Sequence, residues 1–412
     1  MSTPGAATTN WAGNVTFHAR QVHRPTSVDE LSAIVAAAER VRALGTGHSF
    51  SLIADTTADL VRLDGLPETV EIDAENSTAT VAAGMRYAEV APRIHEAGFA
   101  LANLASLPHI SVAGSCATST HGSGDTQRSL SGAVAGLRIV GADGTVTELR
   151  RDDDPDSFPG AVVALGALGI VTHLTLDIEP TFQVAQRIYL DVPLDEVAGG
   201  FDEVFGAAYS VSAFTNWASG TAAVWLKHRL DQPEPTWAGG RLAEEGGPAS
   251  MTEQLDVPGP WHERLPHFRP ESTPSVGEEL QSEFFLPRAE AGAAFAAIRE
   301  IGELVSPVLH ITEVRTVRAD ELWLSPAYQR DSVTVHFTWI KDTAAVLPVL
   351  AEVQRRLVPL GGRPHWGKLT TMPAEQIIAR YDRAADFRRL LATFDPAGKF
   401  RNSFVDDLFP VG

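Results

Sequence analysis

The sequence predicts an α+β protein with more than one domain. Helical and strand patterns alternate on a short period through roughly the first 180 residues, and longer strands rich in Phe, Trp and Tyr follow from about Pro180. The length of 412 residues agrees with this prediction, because domains commonly contain about 100 to 200 residues.

In the first part, Ser27 and Glu30 form a capping-box pattern, and apolar residues then recur at helical spacing. This pattern predicts a helix that ends near residue 40. A short strand is expected at 41–44, followed by a second strand at 78–83 and a helix at 87–97.

A hairpin is predicted from strands 134–140 and 145–149, because Asp143-Gly144 is typical of a two-residue turn between strands. A run of small residues then leads into a strand at 173–178.

In the second part, the proline-rich stretch 231–275 is predicted to be a long surface excursion. A helix is expected at 287–304, strands at 308–318 and 331–340, and another helix at 344–357. The last 40 or so residues read as helical.

The charge balance excludes some classes of function. Lys and Arg number 33 against 52 Asp and Glu, a net charge of −19, which argues against binding to nucleic acid or to an anionic membrane.

The single cysteine, Cys116, excludes an internal disulfide and indicates a reducing compartment. No signal peptide or membrane span is recognisable, so we expect a soluble cytoplasmic protein, working as a monomer.

A glycine turn, Leu44-Gly45-Thr46-Gly47-His48-Ser49-Phe50, follows the first predicted strand. Glycines at 45 and 47 permit positive φ and a close approach of backbone N–H groups to a phosphate. Phe50 occupies the third position of G-x-G-x-x-G, so the Rossmann fingerprint is absent. On these residues alone, an ordinary tight turn with His48 as a capping or surface residue is the favoured interpretation.

A second stretch, SLPHISVAGSCATSTHGSG at 106–124, is dominated by Ser, Thr, Gly and Ala. It offers many N–H and hydroxyl donors, which suits a large cofactor that is polyanionic in one part and flat in another. The alternative is a flexible surface loop. No second ligand accompanies His121 at metal spacing, so we predict no metal site, and we expect Cys116 to be an inert buried thiol.

A third set of residues lies on two later strands. Glu313 and Arg315 alternate on one strand, His336 and Thr338 on the next, and each pair therefore points to one face. Lys368 follows at a distance. A polar substrate site and a solvated sheet face with a Glu–Arg pair explain this pattern equally well.

Together, these motifs resemble the vanillyl-alcohol-oxidase flavoprotein superfamily, and within it the bacterial alditol oxidases, which are related to aldonolactone oxidases. The resemblance runs from Asn10 nearly to the C-terminus. The motifs that carry it are Gly45-Thr46-Gly47-His48-Ser49, Ser106-Leu107-Pro108-His109-Ile110-Ser111-Val112-Ala113-Gly114-Ser115, Thr120-His121-Gly122-Ser123-Gly124, Glu313-Val314-Arg315 and His365-Trp366-Gly367-Lys368.

The resemblance implies an FAD-binding domain of two subdomains at 1–178 and a substrate (cap) domain at 179–361, with an antiparallel sheet flanked by helices. A C-terminal segment, 362–412, would complete the FAD domain and close the active site. It also implies that His48 is bonded covalently to the flavin 8α-methyl.

By the same resemblance, sixteen further residues are expected to contact FAD. They are Arg42, Ala43, Leu44, Gly45, Thr46, Gly47, Ser49, Ser106, Ser111, Gly114, Ser115, Cys116, Ala117, His121, Gly122 and Ile170. The residues expected to bind substrate are Ser106, Glu313, Arg315, Thr338 and Lys368.

The activity that the resemblance implies is oxidation of the terminal primary alcohol of linear alditols, such as xylitol or sorbitol. Hydride would pass to flavin N5, and O2 would be reduced to H2O2. Arg315 and Lys368 would stabilise the alkoxide, and Glu313 or His336 would accept the proton.

Alternatives remain open on the sequence. An aldonolactone oxidase, or a dehydrogenase that uses a quinone or cytochrome, is the enzymatic one. A sugar-binding or degenerate flavin-binding module is the non-enzymatic one.

Overall fold

The computed structural model describes residues 9–272 and 277–411. The strands are β1 (Gln21–His23), β2 (Val41–Leu44), β3 (Asp59–Arg62), β4 (Val70–Asp73), β5 (Thr78–Ala82), β6 (Phe99–Ala100), β7 (Val134–Val140), β8 (Val146–Arg150), β9 (Ile170–Asp177), β10 (Glu179–Pro180), β11 (Gln183–Pro193), β12 (Ser210–Thr215), β13 (Thr221–Arg229), β14 (Arg241–Leu242), β15 (Gly259–Pro260), β16 (Glu279–Pro287), β17 (Leu309–Val317), β18 (Ser332–Ile340) and β19 (Arg363–Pro364).

The helices are α1 (Val28–Ala37), α2 (Tyr87–Glu96), α3 (Val112–Ala117), α4 (Phe158–Ala161), α5 (Leu194–Gly199), α6 (Phe201–Phe205), α7 (Trp261–Arg264), α8 (Ala291–Arg299), α9 (Gly302–Val305), α10 (Thr343–Leu357), α11 (Ala374–Ile378), α12 (Ala384–Phe394) and α13 (Ser403–Leu408). This mixture of helices and sheets confirms the α+β prediction.

The start of α1 agrees with the prediction, with one correction. Ser27 Oγ accepts a hydrogen bond from the Glu30 backbone N–H at 3.1 Å, as an N-cap should. Glu30 Oε2 accepts instead from the backbone N–H of Thr26, at 2.7 Å. The side chain of Glu30 therefore closes the helix start one residue earlier than a capping box would.

The first part of the chain forms two sheets. Parallel strands in the order β1-β3-β2 make one, and antiparallel strands in the order β4-β5-β9-β7-β8 make the other. The predicted hairpin is β7–β8, but its turn is longer than two residues. Gly141 N donates to Thr145 O at 2.8 Å, so this hydrogen bond closes a loop of residues 142–144, one residue more than a two-residue turn contains. Gly144 takes a φ of +85° within it.

The second part forms one large antiparallel sheet in the order β14-β11-β13-β12-β17-β18-β16-β19, with β15 also paired to β11. Helices α8 and α10 pack against each other, and α10 packs on β16. The predicted helix at 287–304 is wrong in its bounds, because Pro287 ends β16 and the helical part is divided into α8 and α9.

The C-terminal part of the chain returns to the first sheet. Phe50 N donates to Gly367 O at 2.7 Å, and Val41 N donates to Lys399 O at 2.9 Å. Since β19 pairs with β16, residues 363–368 pass from the large sheet to the glycine turn. The domain boundaries at 178 and 361 stay predictions. Among the described helices, none combines the length and the apolar character needed to cross a membrane.

Candidate active site

A cavity of about 780 Å³ lies between the glycine turn, the small-residue stretch and one face of the large sheet. Sites for small molecules and cofactors typically measure about 300–1,000 Å³, so this one falls in the upper part of that range. Its walls include residues within 42–51, 105–121, 279–283, 310–315 and 365–368.

The glycine turn carries His48 at one wall of the cavity. Gly47 has a φ of +73°, which turns the chain after β2 at little steric cost. The imidazole stacks on Trp11 at 5.4 Å between ring centroids, and its Nδ1 lies 2.9 Å from Thr46 Oγ1. Burial, followed by the positive charges of His109 and Arg86, lowers the pKa of His48 to about 4. The ring is therefore neutral and nucleophilic at neutral pH.

The small-residue stretch lies directly against this turn. A Cβ atom at Gly45 would collide with Ser111 Oγ, so any larger residue at this crossing would force that side chain to move. Ser111 precedes α3, whose Gly114 and Ala117 also line the cavity. Ser115 lines the cavity too, but its Oγ donates to Val112 O at 2.8 Å.

Arg42 is buried beneath the turn, and its guanidinium is held by backbone carbonyls. It donates to Gly166 O at 2.9 Å, to Leu165 O at 2.8 Å and to Phe400 O at 2.7 Å. It also donates to Ile53 O. Burial lowers its pKa to about 10. The side chain therefore ties the C-terminal part of the chain to the turn.

A row of ionisable side chains crosses the large sheet opposite the turn. In the strand register Glu313 on β17 faces His336 on β18, which in turn faces Glu283 on β16. Since residues two apart on a strand share a face, Arg315 and Thr338 lie on the same wall. All five predicted substrate residues therefore line the cavity. Glu313, Arg315 and Thr338 come from the sheet, and Ser106 and Lys368 come from outside it.

Glu283, at the β16 end of this row, is the counter-ion of the cations around it and is only 1% exposed. Its Oε1 accepts from Arg315 Nη2 at 2.7 Å, and its Oε2 accepts from Lys368 Nζ at 2.7 Å. His121 Nε2 lies 3.0 Å from Oε1. Burial alone would raise the pKa of Glu283, but Lys368, His121 and Arg315 outweigh it and hold the pKa well below the usual value.

Lys368 and His336 are in direct contact, with Nζ 2.5 Å from His336 Nδ1. His336 Nε2 lies 3.1 Å from Thr338 Oγ1. Burial, and then the Lys368 charge, lowers the pKa of His336 to about 4. Burial also lowers the pKa of Lys368, an effect that Glu283 opposes. The imidazole is therefore neutral beside the ammonium.

Glu313 and Arg315 line the cavity and leave hydrogen-bonding capacity unused. Glu313 Oε1 lies 2.8 Å from His267 Nε2, whereas its Oε2 lies 3.7 Å from Arg315 Nε. That Nε–H is buried and has no hydrogen-bond partner. Burial raises the pKa of Glu313, but Arg315 and His267 outweigh it and hold the pKa far below its usual value. An anionic acceptor and an unused donor therefore lie side by side.

Most predicted cofactor residues line the same cavity. They are Arg42, Ala43, Leu44, Gly45, Thr46, Gly47, His48, Ser49, Ser106, Ser111, Gly114, Ser115, Ala117 and His121. Three others are placed behind its walls: Cys116, Gly122 and Ile170. Cys116 packs in the core with its Sγ 3.9 Å from Tyr87 OH, Gly122 abuts Asn103 and Leu104, and the buried Ile170 is preceded by Gly169, which does line the cavity.

Sequence reasoning missed Glu283, Gln281 and His267. A signal for the first two was present, because Glu279, Gln281 and Glu283 alternate along β16 and all line the cavity. No such period marks His267, which enters the site from the loop after α7. The excursion therefore contributes to the site as well as to the surface over 231–272, the part of it that the structure describes; residues 273–275 of the prediction lie outside the described residues.

Comparisons with known proteins agree with this geometry. A family model described as an FAD binding domain matches residues 19–150, and one described as D-arabinono-1,4-lactone oxidase matches residues 278–408. The chain is 50% identical to an alditol oxidase of Streptomyces sp. (strain IKD472 / FERM P-14339) over 413 residues, which cover 98% of this chain and 99% of that protein. An L-gulono-1,4-lactone dehydrogenase of Mycobacterium tuberculosis is 29% identical, with 96% and 97% covered.

Among solved structures, a cholesterol oxidase from B. sterolicum is similar with a TM-score of 0.82 at 15% identity, covering 98% of this chain and 96% of that one. This likeness concerns the fold, which is the FAD-binding fold predicted from the sequence. The likeness to the Streptomyces protein extends over nearly the full length of both chains. The chain therefore belongs to the alditol oxidase family and is an FAD-binding oxidoreductase.

Proposed function

We propose that this enzyme oxidises the terminal primary alcohol of linear alditols, such as xylitol and sorbitol, to the aldose, with O2 reduced to H2O2. The observation that carries the proposal is the pairing of Glu313 Oε2 with the unused Nε–H of buried Arg315, 3.7 Å apart. A hydroxyl group both donates and accepts, so the substrate could satisfy both atoms at once. The alditol oxidase relative supports the same substrate class.

The residues around the turn fit FAD. The close crossing of Gly45 and Ser111 leaves backbone on the cavity wall, and the small side chains of the 106–121 stretch offer hydroxyl groups and amides for phosphates. The neutral His48 would hold the cofactor by a covalent bond to the 8α-methyl. When bound, FAD supplies the hydride acceptor, its N5 atom, and the route by which electrons reach O2.

The chain's own residues would orient the substrate. Glu313 accepts from the C2 hydroxyl, while Arg315 and Lys368 surround the terminal oxygen and stabilise its developing negative charge. Ser106 Oγ lies 3.5 Å from Arg315 Nη1 and Thr338 Oγ1 lies on the next row of the sheet, so both can bind further hydroxyl groups. Glu313 and His336, which both line the cavity, are the two candidate acceptors of the hydroxyl proton.

Three segments of the chain would have different roles in binding the cofactor and the substrate. We propose that 1–178 holds the cofactor, that 179–361 covers it with the polar face of the large sheet, and that 362–412 completes the cofactor domain. The hydrogen bonds from Phe50 N in the turn to Gly367 O and from Val41 N in β2 to Lys399 O support the role of the last segment. They would also position Lys368.

Peroxide formation tests the substrate class. Xylitol and sorbitol should give H2O2 in stoichiometric amounts, whereas butanol should be a poor substrate, because a site built for hydroxyl groups can reject analogues without them by about 10⁴-fold or more. Aldonolactone oxidation is the second candidate, supported by the matching lactone oxidase model. Faster turnover of L-gulono-1,4-lactone than of any alditol would favour it and reject our proposal.

Acid precipitation tests the covalent bond. The native protein should stay yellow in the pellet, and His48→Ala should release all of its flavin. Flavin retained in the pellet of His48→Ala would reject the assignment of His48.

A further inference from the structure

A lysine lies in the core of the large sheet, outside the site described above. Lys227 belongs to β13 and is only 1% exposed. Its Nζ lies 2.5 Å from Leu265 O, 3.1 Å from Pro266 O and 3.1 Å from His267 Nδ1. Burial lowers the pKa of Lys227 to about 7. In the protonated form the ammonium has three protons, and these three acceptors satisfy it completely without a direct carboxylate partner.

This contact determines which nitrogen of His267 carries the proton. Because the ammonium can only donate, His267 Nδ1 must accept, and the remaining proton of a neutral ring is then on Nε2. Nε2 lies 2.8 Å from Glu313 Oε1 and donates to it. Burial, and then the positive charge of Lys227, lowers the pKa of His267 to about 4, so the ring is neutral.

The ring of His267 is also fixed by its neighbours. Trp225 and Phe214 contact it edge-on, at 5.1 Å and 5.6 Å between ring centroids. The three polar groups therefore form a buried relay in the order Lys227, His267, Glu313. One oxygen of Glu313 is occupied by the relay, and the other faces Arg315 Nε in the cavity.

We propose that Lys227 is a positioning residue for alditol oxidation, which fixes the Nε2–H tautomer of His267 and thereby holds Glu313 with one carboxylate oxygen free for the substrate. The inference rests on the proposed function, because it gives Glu313 the task of binding a hydroxyl group. Lys227 itself contacts neither Glu313 nor the cavity. A purely structural alternative is that Lys227 only ties the carbonyls of residues 265 and 266 to the sheet.

The tautomer can be read directly in the native holoenzyme labelled with ¹⁵N-histidine, with His267→Gln used to assign the signal. At about pH 6, where a pKa of about 7 keeps Lys227 protonated and a pKa of about 4 keeps His267 neutral, the proton of His267 should be on Nε2. A signal protonated at Nδ1, or at both nitrogens, would overturn the proposal without any variant at Lys227.

The variant Lys227→Met removes the donor and keeps an unbranched side chain that is one atom shorter. We expect the proton of the His267 ring no longer to be confined to Nε2 in this variant, since no ammonium then requires Nδ1 to accept. We also expect KM for xylitol to rise about tenfold, with kcat reduced less and the flavin retained. A neutral Nε2–H ring together with an unchanged KM in this variant would overturn the proposal.

Gln186 provides a matched control, because it faces Lys227 across β11 and β13 and is equally buried. Gln186→Met should leave both the His267 signal and KM as in the native enzyme. A tenfold rise of KM in this control would instead mean that any change in this part of the core disturbs the site, and would overturn the specific role of Lys227. If xylitol is not a substrate at all, the proposed function fails on that result, and the NMR measurement still decides whether the relay exists.

Discussion

Lys368 Nζ lies 2.7 Å from Glu283 Oε2 at the wall of the cavity, where Glu283 is buried and Lys368 is partly buried. Arg315 contacts the other oxygen of the same carboxylate. The two cations that would stabilise the substrate oxygen therefore share one counter-ion, so their positions depend on a residue that need not touch the substrate.

The first prediction concerns Lys368. Lys368→Ala removes one preorganised donor, so kcat with xylitol should fall by about 10²- to 10³-fold while the flavin remains bound. Lys341→Ala, which removes an exposed lysine paired with Glu278, should leave kcat unchanged. Steady-state peroxide release measures both variants, and a near-native kcat for Lys368→Ala would remove this residue from the mechanism.

The second prediction concerns stability and Glu283. Glu283→Gln leaves Lys368 and Arg315 buried without their counter-ion, which should lower the free energy of unfolding by about 3–5 kcal/mol. Urea denaturation of the flavin-bound protein measures this change. The exposed Glu278 offers the control, and Glu278→Gln should have little effect. Equal stability of the two variants would show that Glu283 is not the counter-ion of the cluster.

The third prediction concerns pH. Burial lowers the pKa values of His267 and His336 to about 4 in the fold, from the ordinary histidine value of 6.5. The unfolded chain therefore binds more protons between about pH 6.5 and 4, so stability should be greatest above pH 6.5 and fall as the pH falls. Each of these two histidines should lower the free energy of unfolding by roughly 3 kcal/mol between about pH 6.5 and 4.

Thermal unfolding at a series of pH values measures this dependence, and His336→Asn should flatten part of the slope. A melting temperature that does not change between about pH 7 and 4.5 would contradict the buried neutral state of both rings.

The fourth prediction concerns the crossing of the turn and the small-residue stretch. Gly45→Ala forces Ser111 Oγ to move, which should cost about 1–3 kcal/mol of stability and reduce the FAD content of the purified protein. Removing the obstructing hydroxyl in Gly45→Ala/Ser111→Ala should restore part of the FAD.

Gly292 in α8 is the matched control, because a Cβ there meets nothing within 4 Å. Gly292→Ala should leave the FAD content unchanged and slightly stabilise the helix. Native FAD content in Gly45→Ala would show that this crossing tolerates a side chain.

The sequence allowed a good part of the site to be predicted, for a physical reason. The two-residue period of β17 and β18 places Glu313, Arg315, His336 and Thr338 on one face whatever the partner strands are. What the period could not reveal was that this face is enclosed. That depends on the glycine turn meeting Gly367, a contact between residues far apart in the chain.

The residues that were missed have a different reason. Glu283 is adjacent to His336 only through the register of β16 with β18, and a single strand does not encode its neighbour's register. Lys227 lies within an apolar strand, where its partners are backbone carbonyls and a histidine from a loop. Such partners leave no pattern in the sequence.

Anaerobic mixing of the yellow native protein with xylitol tests the central claim most directly. The flavin absorbance should bleach in a single turnover and return when air is admitted, with one H2O2 released for each flavin reduced. Bleaching by L-gulono-1,4-lactone but not by xylitol or sorbitol would contradict it.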